Sequence, residues 1–294
     1  MLLRHIRYFL AVTEHRNFTR ASEALHVSQP TLSQQIRQLE DALGAQLLDR
    51  SGRSIRLTDA GKAYAQYARR ALQDLDAGKR AIHDAKDLTH GELRLAMTPT
   101  FTAYLMGPLV ARFNADYPGI DLSVMEMNQD RIEALLAQDD LDIGIGFMKA
   151  RSADIESQPW FVETLALVVG KKHPYATRRR ALSLREFEKE PRVLLSGDFA
   201  TRGHIDRHCH DQGIHPHTAI EANSVSGIIE MVQHSDRLAT VLPEAVAHHH
   251  DGLCPVKVRD AMAQRTVAML QRKGAYRTAA CQAFVDMALA WKPV

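Results

Sequence analysis

Five polar side chains, Gln29, Thr31, Ser33, Gln34 and Arg37, fall on one side of a stretch whose other side is apolar. Amides, hydroxyls and a guanidinium are the groups that read a DNA major groove. Glutamine pairs with adenine, arginine with guanine, and hydroxyls with base edges or phosphate. No carboxylate interrupts that face before Glu40. Leu32, Ile36, Leu39 and Leu43 supply the opposite stripe at helical spacing. Ser28 can cap the helix, and Pro30 fits its first turn, where a missing N–H costs nothing. A solvated amphipathic helix would share this outline, so the neighbouring residues weigh heavily. Arg50, Arg53 and Arg56 cluster in two short extended segments, 46–50 and 54–57, joined through Ser51, Gly52 and Arg53. That is a hairpin wing able to track a phosphate backbone, against the plainer reading of a surface hairpin.

These groups need scaffolding. A helix over 2–15 carries Leu3, Ile6, Phe9, Leu10 and Thr13 on one face. A short helix over 19–25, capped by Asn17 or Thr19, holds Ala21, Ala24 and Leu25, and a turn starts at Val27. Three helices so arranged present the N-terminus of the third to base edges. From Thr58 a long helix runs to about 88, with Ala60, Tyr64, Tyr67, Ala71, Leu75, Gly78, Ile82 and Ala85 in a stripe. About 45 Å of helix exceeds what a small winged domain can cover, so the stripe reads as a dimerisation face. Packing against the C-terminal half is the alternative.

Beyond Gly91, strands are expected at 93–97, 121–124, 142–147, 166–169, 193–195, 218–221 and 238–242. Helices are expected at 103–117, 131–137, 202–213, 224–234, 244–248 and 276–291. Repeated strand–helix units imply parallel sheets covered on both faces, here as two α/β lobes with a ligand cleft at the strand ends. Thr98, Thr100, Gln129, Phe147 and the 196–202 segment fall at such ends. Ordinary helix capping would explain any one of them; several together, without a base–nucleophile pair, favour binding over catalysis.

The chain has 294 residues, of which 45% are hydrophobic and 24% charged, enough for two or three folding units with real cores. Net charge is +2, but 1–90 hold 14 Lys and Arg against 10 Asp and Glu, while the remainder is slightly acidic. The basic excess lies with the candidate DNA-reading segment. Three well-separated cysteines, Cys209, Cys254 and Cys281, imply a reducing compartment. With no apolar run of about 18 residues and no signal-peptide pattern, a cytoplasmic protein without membrane contact is expected.

The run from Ala24 to Gly61 resembles the LysR-type transcriptional regulators. Ala21, Leu25, Ser28, Gln29, Pro30, Leu32, Ser33, Ile36, Leu39, Glu40, Leu43, Gly44, Leu47, Arg50, Arg53, Leu57, Thr58, Ala60 and Gly61 carry the likeness. Leu48 and Gln34 depart from the usual Phe and Arg. The resemblance implies an all-α winged helix-turn-helix (1–58), a linker helix (59–90) and a two-lobed α/β periplasmic-binding-protein-like effector domain (91–294). Lobe I would comprise 91–161 and 268–294, and lobe II 162–267. It implies DNA contacts at Ser28, Gln29, Pro30, Thr31, Ser33, Gln34, Arg37, Arg50 and Arg53. Effector contacts would fall at Thr98, Thr100, Gln129, Phe147, Phe199, Ala200 and Thr201. Segments 97–104, 199–202, 220–224 and 250–253 further resemble regulators of cyanate-degradation operons within the family, implying cyanate as effector; the residue chemistry alone says small anion. Implied partners are double-stranded promoter DNA, a small anionic effector, further copies of the chain (a dimer or tetramer) and RNA polymerase. The resemblance also implies activation of an adjacent operon and repression of the regulator's own gene.

No cofactor and no catalysis are expected. His204, His208, Cys209, His210, His215 and His217 crowd one segment and could suggest a metal, but no His-Glu-x-x-His pattern is present and none is expected to bind. Gly144-Ile-Gly146 lacks the third glycine of a dinucleotide fingerprint. An exported solute-binding protein and a metalloenzyme are the rival classes.

Overall fold

The computed structural model describes residues 2–52, 54–84, 88–188, 190–215 and 217–291. The chain divides into two compact units, Met1–Lys79 and Arg80–Val294.

The first unit begins with α1 (Leu3–His15), α2 (Phe18–Ala24) and α3 (Gln29–Leu43). A hairpin of β1 (Leu48–Asp49) and β2 (Arg56–Leu57) and the start of α4 (Asp59–Asp84) follow. Asn17 Oδ1 caps α2 by accepting from the N–H groups of Thr19 and Arg20 at 2.8 and 3.1 Å. Ser28 Oγ accepts from Thr31 N at 3.3 Å, and Gly44 ends α3 in the left-handed region with φ 65°. Leu32, Ile36 and Leu39 are fully buried against Phe9, Val12, Ala21 and Leu47, each worth roughly 1.5–3 kcal/mol. Leu3 and Leu43, expected in the core, stay substantially exposed because they sit at the outer ends of their helices. The wing is shorter than its sequence suggests, two residues per strand.

The second unit contains β3 (Gly91–Met97), α5 (Pro99–Phe101), a π-helical turn (Thr102–Met106), α6 (Gly107–Asp116), β4 (Ile120–Glu126), α7 (Gln129–Ala137) and β5 (Ile143–Phe147). After these come β6 (Ile155–Gly170), α8 (Leu184–Phe187), β7 (Arg192–Leu195), α9 (Ala200–Asp211), β8 (Thr218–Ala222) and α10 (Val225–Gln233). The unit closes with β9 (Ala239–Pro243), α11 (Glu244–His249), β10 (Leu253–Val256), β11 (Gln264–Arg272) and α12 (Ala279–Ala290). The strands lie in the order β4-β3-β5-β11-β6-β9-β7-β8, with β10 also on β6.

Two parallel triplets are visible in that order: β4-β3-β5 and β8-β7-β9. The sheet is mixed, however, where sequence reasoning expected parallel sheets alone. β6 and β11 run antiparallel to each other and tie the triplets together. Of the sixteen-residue β6 only 166–169, a quarter, is expected as strand from the sequence, and β10 and β11 are not expected at all. The cause is residue type. Glu156, Ser157, Gln158 and Pro159 in β6, and Arg265, Gln271 and Arg272 in β11, break the apolar pattern that marks a strand. The β6–β11 register shifts between Val267 and Ala268, opposite Phe161 and Pro159.

Candidate functional site

The exposed face of α3 is built by its own cap. Ser28 Oγ lies 2.7 Å from Thr31 Oγ1, holding both hydroxyls at the helix start. Ser28, Gln29, Pro30, Thr31, Gln34 and Arg37 are exposed, and Ser33 is half-buried. Arg50 is differently placed. Its guanidinium donates to Glu40 Oε2 at 2.7 Å and lies 5.2 Å from the Phe18 ring centroid. Glu40 Oε1 in turn accepts from the N–H groups of Leu47 and Leu48. Glu40 therefore buttresses the wing, and Arg50 is pinned to the domain with its charge partly compensated. Arg53 lies outside the described residues, and Arg56 is exposed on β2.

In the second unit, the loops after β3 and β5 meet the start of α9. Thr98 follows β3 and its N–H donates to Ile145 O at 3.2 Å, which sets it beside the end of β5. Thr98, Thr100, Phe147, Phe199 and Thr201 are all buried. Ala200, on the first turn of α9, is exposed. Gln129 is buried but committed elsewhere. Its amide accepts from Phe147 N at 2.9 Å and donates to Glu133 Oε1 at 2.9 Å and to the carbonyls of Phe147 and Lys149. Gln129 thus fixes the loop that carries Phe147.

The cluster's centre is a residue that sequence reasoning passed over. Arg265 is 5% exposed and faces Glu163, 4% exposed, directly across the β6–β11 ladder. Its Nε donates to Glu163 Oε2, and its Nη1 donates to Thr201 Oγ1 at 2.7 Å. Its Cζ stands 4.3 Å from the Phe147 ring centroid, a cation–π contact. The Tyr104 hydroxyl, brought in by the π-helical turn, donates to Glu163 Oε1. Burial and the Glu163 charge push the Tyr104 phenol well above its ordinary range, so it stays protonated. The His204 ring lies 5.2 Å from Phe147. Burial, then the positive charges of Arg265, Arg207 and Lys149, hold it down to about 4, so it is neutral at pH 7.

Four buried polar atoms on these elements lack a partner among the described residues: Thr98 Oγ1, Thr100 Oγ1, Ser196 Oγ and Arg265 Nη2. Buried donors without partners are costly, by about 1–3 kcal/mol each, unless something occupies the site. A guanidinium N–H and hydroxyls suit an anion's acceptor atoms. One signal for Arg265 and Glu163 was present in the sequence. Each is a single charge inside a segment that is otherwise apolar enough to be buried, and a buried charge requires a partner.

Among the described residues no group of three or more His, Cys, Asp or Glu side chains is placed to hold a metal ion. No helix is long and apolar enough to cross a membrane, again among the described residues.

Comparison with known proteins fits both halves. Residues 3–62 match the family description "Bacterial regulatory helix-turn-helix protein, lysR family", and residues 86–292 match "LysR substrate binding domain". A hydrogen peroxide-inducible genes activator from Dickeya chrysanthemi is 30% identical over 277 residues, 93% of this chain and 90% of that one. A RuBisCO operon transcriptional regulator from Allochromatium vinosum is 32% identical over 211 residues, 72% of this chain and 69% of the relative. Full-length OxyR from Pseudomonas aeruginosa superposes with a TM-score of 0.73 at 25% identity, covering 98% of this chain and 94% of its own. These similar proteins are of peroxide and RuBisCO type, so the narrower likeness to cyanate-operon regulators finds no support among them. An N-terminal helix-turn-helix with a polar reading face, joined to a two-lobed α/β ligand domain, places the chain in the LysR family of DNA-binding transcriptional regulators.

Proposed function

We propose that this regulator is a cytoplasmic, non-catalytic sensor of a small anion, which it takes up at Arg265, Thr98, Thr100 and Thr201. The observation carrying this reading is the buried Arg265, whose Nη2 has no partner among the described residues, beside unpartnered threonine hydroxyls. Binding there would activate an adjacent operon, through contact with RNA polymerase, and the chain would repress its own gene. It would act as a dimer or tetramer. Cyanate is the first candidate effector, supported by the sequence likeness of segments 97–104, 199–202, 220–224 and 250–253 and by its fit as a small anion; another small acid is the alternative.

The peroxide-responsive relatives suggest a second reading, in which a thiol is the sensor. Two of the three thiols, Cys209 and Cys281, favour it poorly. A sensing cysteine must be a thiolate. Burial raises Cys209 above its ordinary value and pushes Cys281 up to about 12.

The test is a gel-shift titration on the chain's own upstream promoter, with and without sodium cyanate and with hydrogen peroxide. Cyanate should change the complex and peroxide should not. Thr100→Val should keep the affinity for promoter DNA and lose the response to the anion. Equal binding to promoter and random DNA would sink the regulatory reading, and a normal anion response in Thr100→Val would remove the Thr98–Thr100 loop from the site.

A further inference from the structure

The guanidinium of Arg265 offers less than its chemistry allows. An arginine normally receives a carboxylate on one of two edges, each with two parallel N–H donors: the side edge of Nε with Nη2, or the end edge of Nη1 with Nη2. Here Glu163 occupies Nε and Thr201 occupies Nη1, so each edge has lost one of its two teeth. Phe147 lies over the guanidinium at 4.3 Å, with Cζ above the ring. What remains is Nη2, buried and without a partner among the described residues. The charge is also compensated. Glu163 and Arg265 are both nearly fully buried and together sum to zero, so a single anion brings this buried group of charges to −1 and a dianion brings it to −2, with Arg207 and Lys149 the next positive charges. The cost of burying charge rises with the square of that charge.

From this geometry we infer that Glu163 is a specificity-determining residue: it leaves Arg265 as a one-toothed, charge-compensated guanidinium that accepts a singly charged anion through one terminal atom and turns away dianions. Thr201 narrows the same choice by closing the end edge to two-oxygen ligands such as formate. The inference rests on the reading of this cleft as the effector site. It goes further in naming the ligand class, rod-like monoanions, and the residues that impose it.

Calorimetric titration of the full chain tests it, with azide and thiocyanate as rod-like monoanions, formate as a planar one, and oxalate and malonate as dianions. In the unaltered chain, azide and thiocyanate should bind at least about tenfold tighter than either dianion. Glu163→Gln should remove the internal countercharge, even with its amide oxygen still accepting from Nε, and so erase or reverse that preference. Thr201→Val should free the end edge without changing charge, raising formate relative to azide while dianions stay excluded. Equal binding of oxalate and azide by the unaltered chain overturns the inference without any variant, so a Glu163→Gln protein that failed to fold would not shelter it. Unchanged discrimination in Glu163→Gln overturns it too, while leaving the anion site standing. Absence of heat with every anion, in a chain that still binds its promoter, removes the anion site itself and the inference with it.

Discussion

His204 and Arg37 show how much a side chain's surroundings decide its role. The His204 imidazole is held down to about 4 by burial first, then by Arg265, Arg207 and Lys149. An unfolded chain's imidazole titrates near 6.5, so between those values the unfolded state binds more protons. Stability from this group is therefore complete above about pH 6.5 and is lost as pH falls from there towards 4. Thermal unfolding of the native chain and His204→Gln should show the native protein losing ground to the variant as pH drops through that window. Parallel curves would mean the imidazole is not held neutral. In the helix-turn-helix unit, exposed Arg37 and Arg50, paired with Glu40, should behave unlike each other towards DNA. Arg37→Ala should reduce the slope of log affinity against log salt by about one unit if it meets phosphate. Arg50→Ala should change it less, because Glu40 already offsets that charge. Much of this face was legible in the sequence, since Ser28, Gln29, Thr31, Gln34 and Arg37 follow from one helical period. Arg50's internal role was not, because Glu40 and the 47–48 amides meet it only after the chain turns back. The cleft was half legible: Thr98, Thr100, Phe147 and Thr201 mark strand and helix ends, while Arg265 and Glu163 come together only through a ladder about a hundred positions apart in the chain.

Among the elements, the junction of α4 with the wing is closely packed. A Cβ at Gly61 would lie 2.0 Å from Leu47 O, a backbone atom that cannot give way locally. Thr58 fixes the same corner, its hydroxyl donating to Gln46 O at 2.7 Å and accepting from Gly61 N at 2.9 Å. Gly61→Ala should therefore separate α4 from the wing and destabilise the first unit by about 1–3 kcal/mol, a typical cost of overpacking. In a two-step melt the first transition should move down while the second unit's transition, and its response to anion, stay put. A variant of native stability would show that α4 can slide along the hairpin. The glycine itself was visible in the sequence, but its reason was not. Helix propensity alone favours alanine at that position by roughly 1 kcal/mol, and only the approach of Leu47 reverses the sign. The same logic explains the missed strands. β6 mixes an exposed or half-buried polar stretch with a buried apolar one, and β11 buries Arg265, Gln271 and Arg272 among apolar residues, so no single period describes them.

For the whole molecule, α4 leaves an account open. Up to residue 79 its buried positions are Gly61, Ala65, Ala68 and Ala77, while Tyr67 and Leu75 on the stripe expected from the sequence are 70% and 50% exposed. Two large apolar side chains on one exposed helix stripe are a fit place for a second copy's α4, and twofold pairing would bring two reading helices to one partly symmetric operator. Pairing also matters for affinity. Once one head is bound, a tethered second head sees its half-site at an effective concentration that can raise overall affinity by about 10² to 10⁴. An effector can alter that arrangement only as far as it binds one assembled state better than another. Replacing both Tyr67 and Leu75 by Glu should set like charges against each other across such a pair. Sedimentation should then show single chains, calorimetry should show anion binding at Arg265 intact, and the salt slope of promoter binding should fall to about half, since each chain would release only its own counterions. If the variant still sediments as the native protein does, the stripe is not the pairing face. If it becomes monomeric yet keeps native promoter affinity, two heads are not used together, and a cleft that works by rearranging them would have nothing to act on.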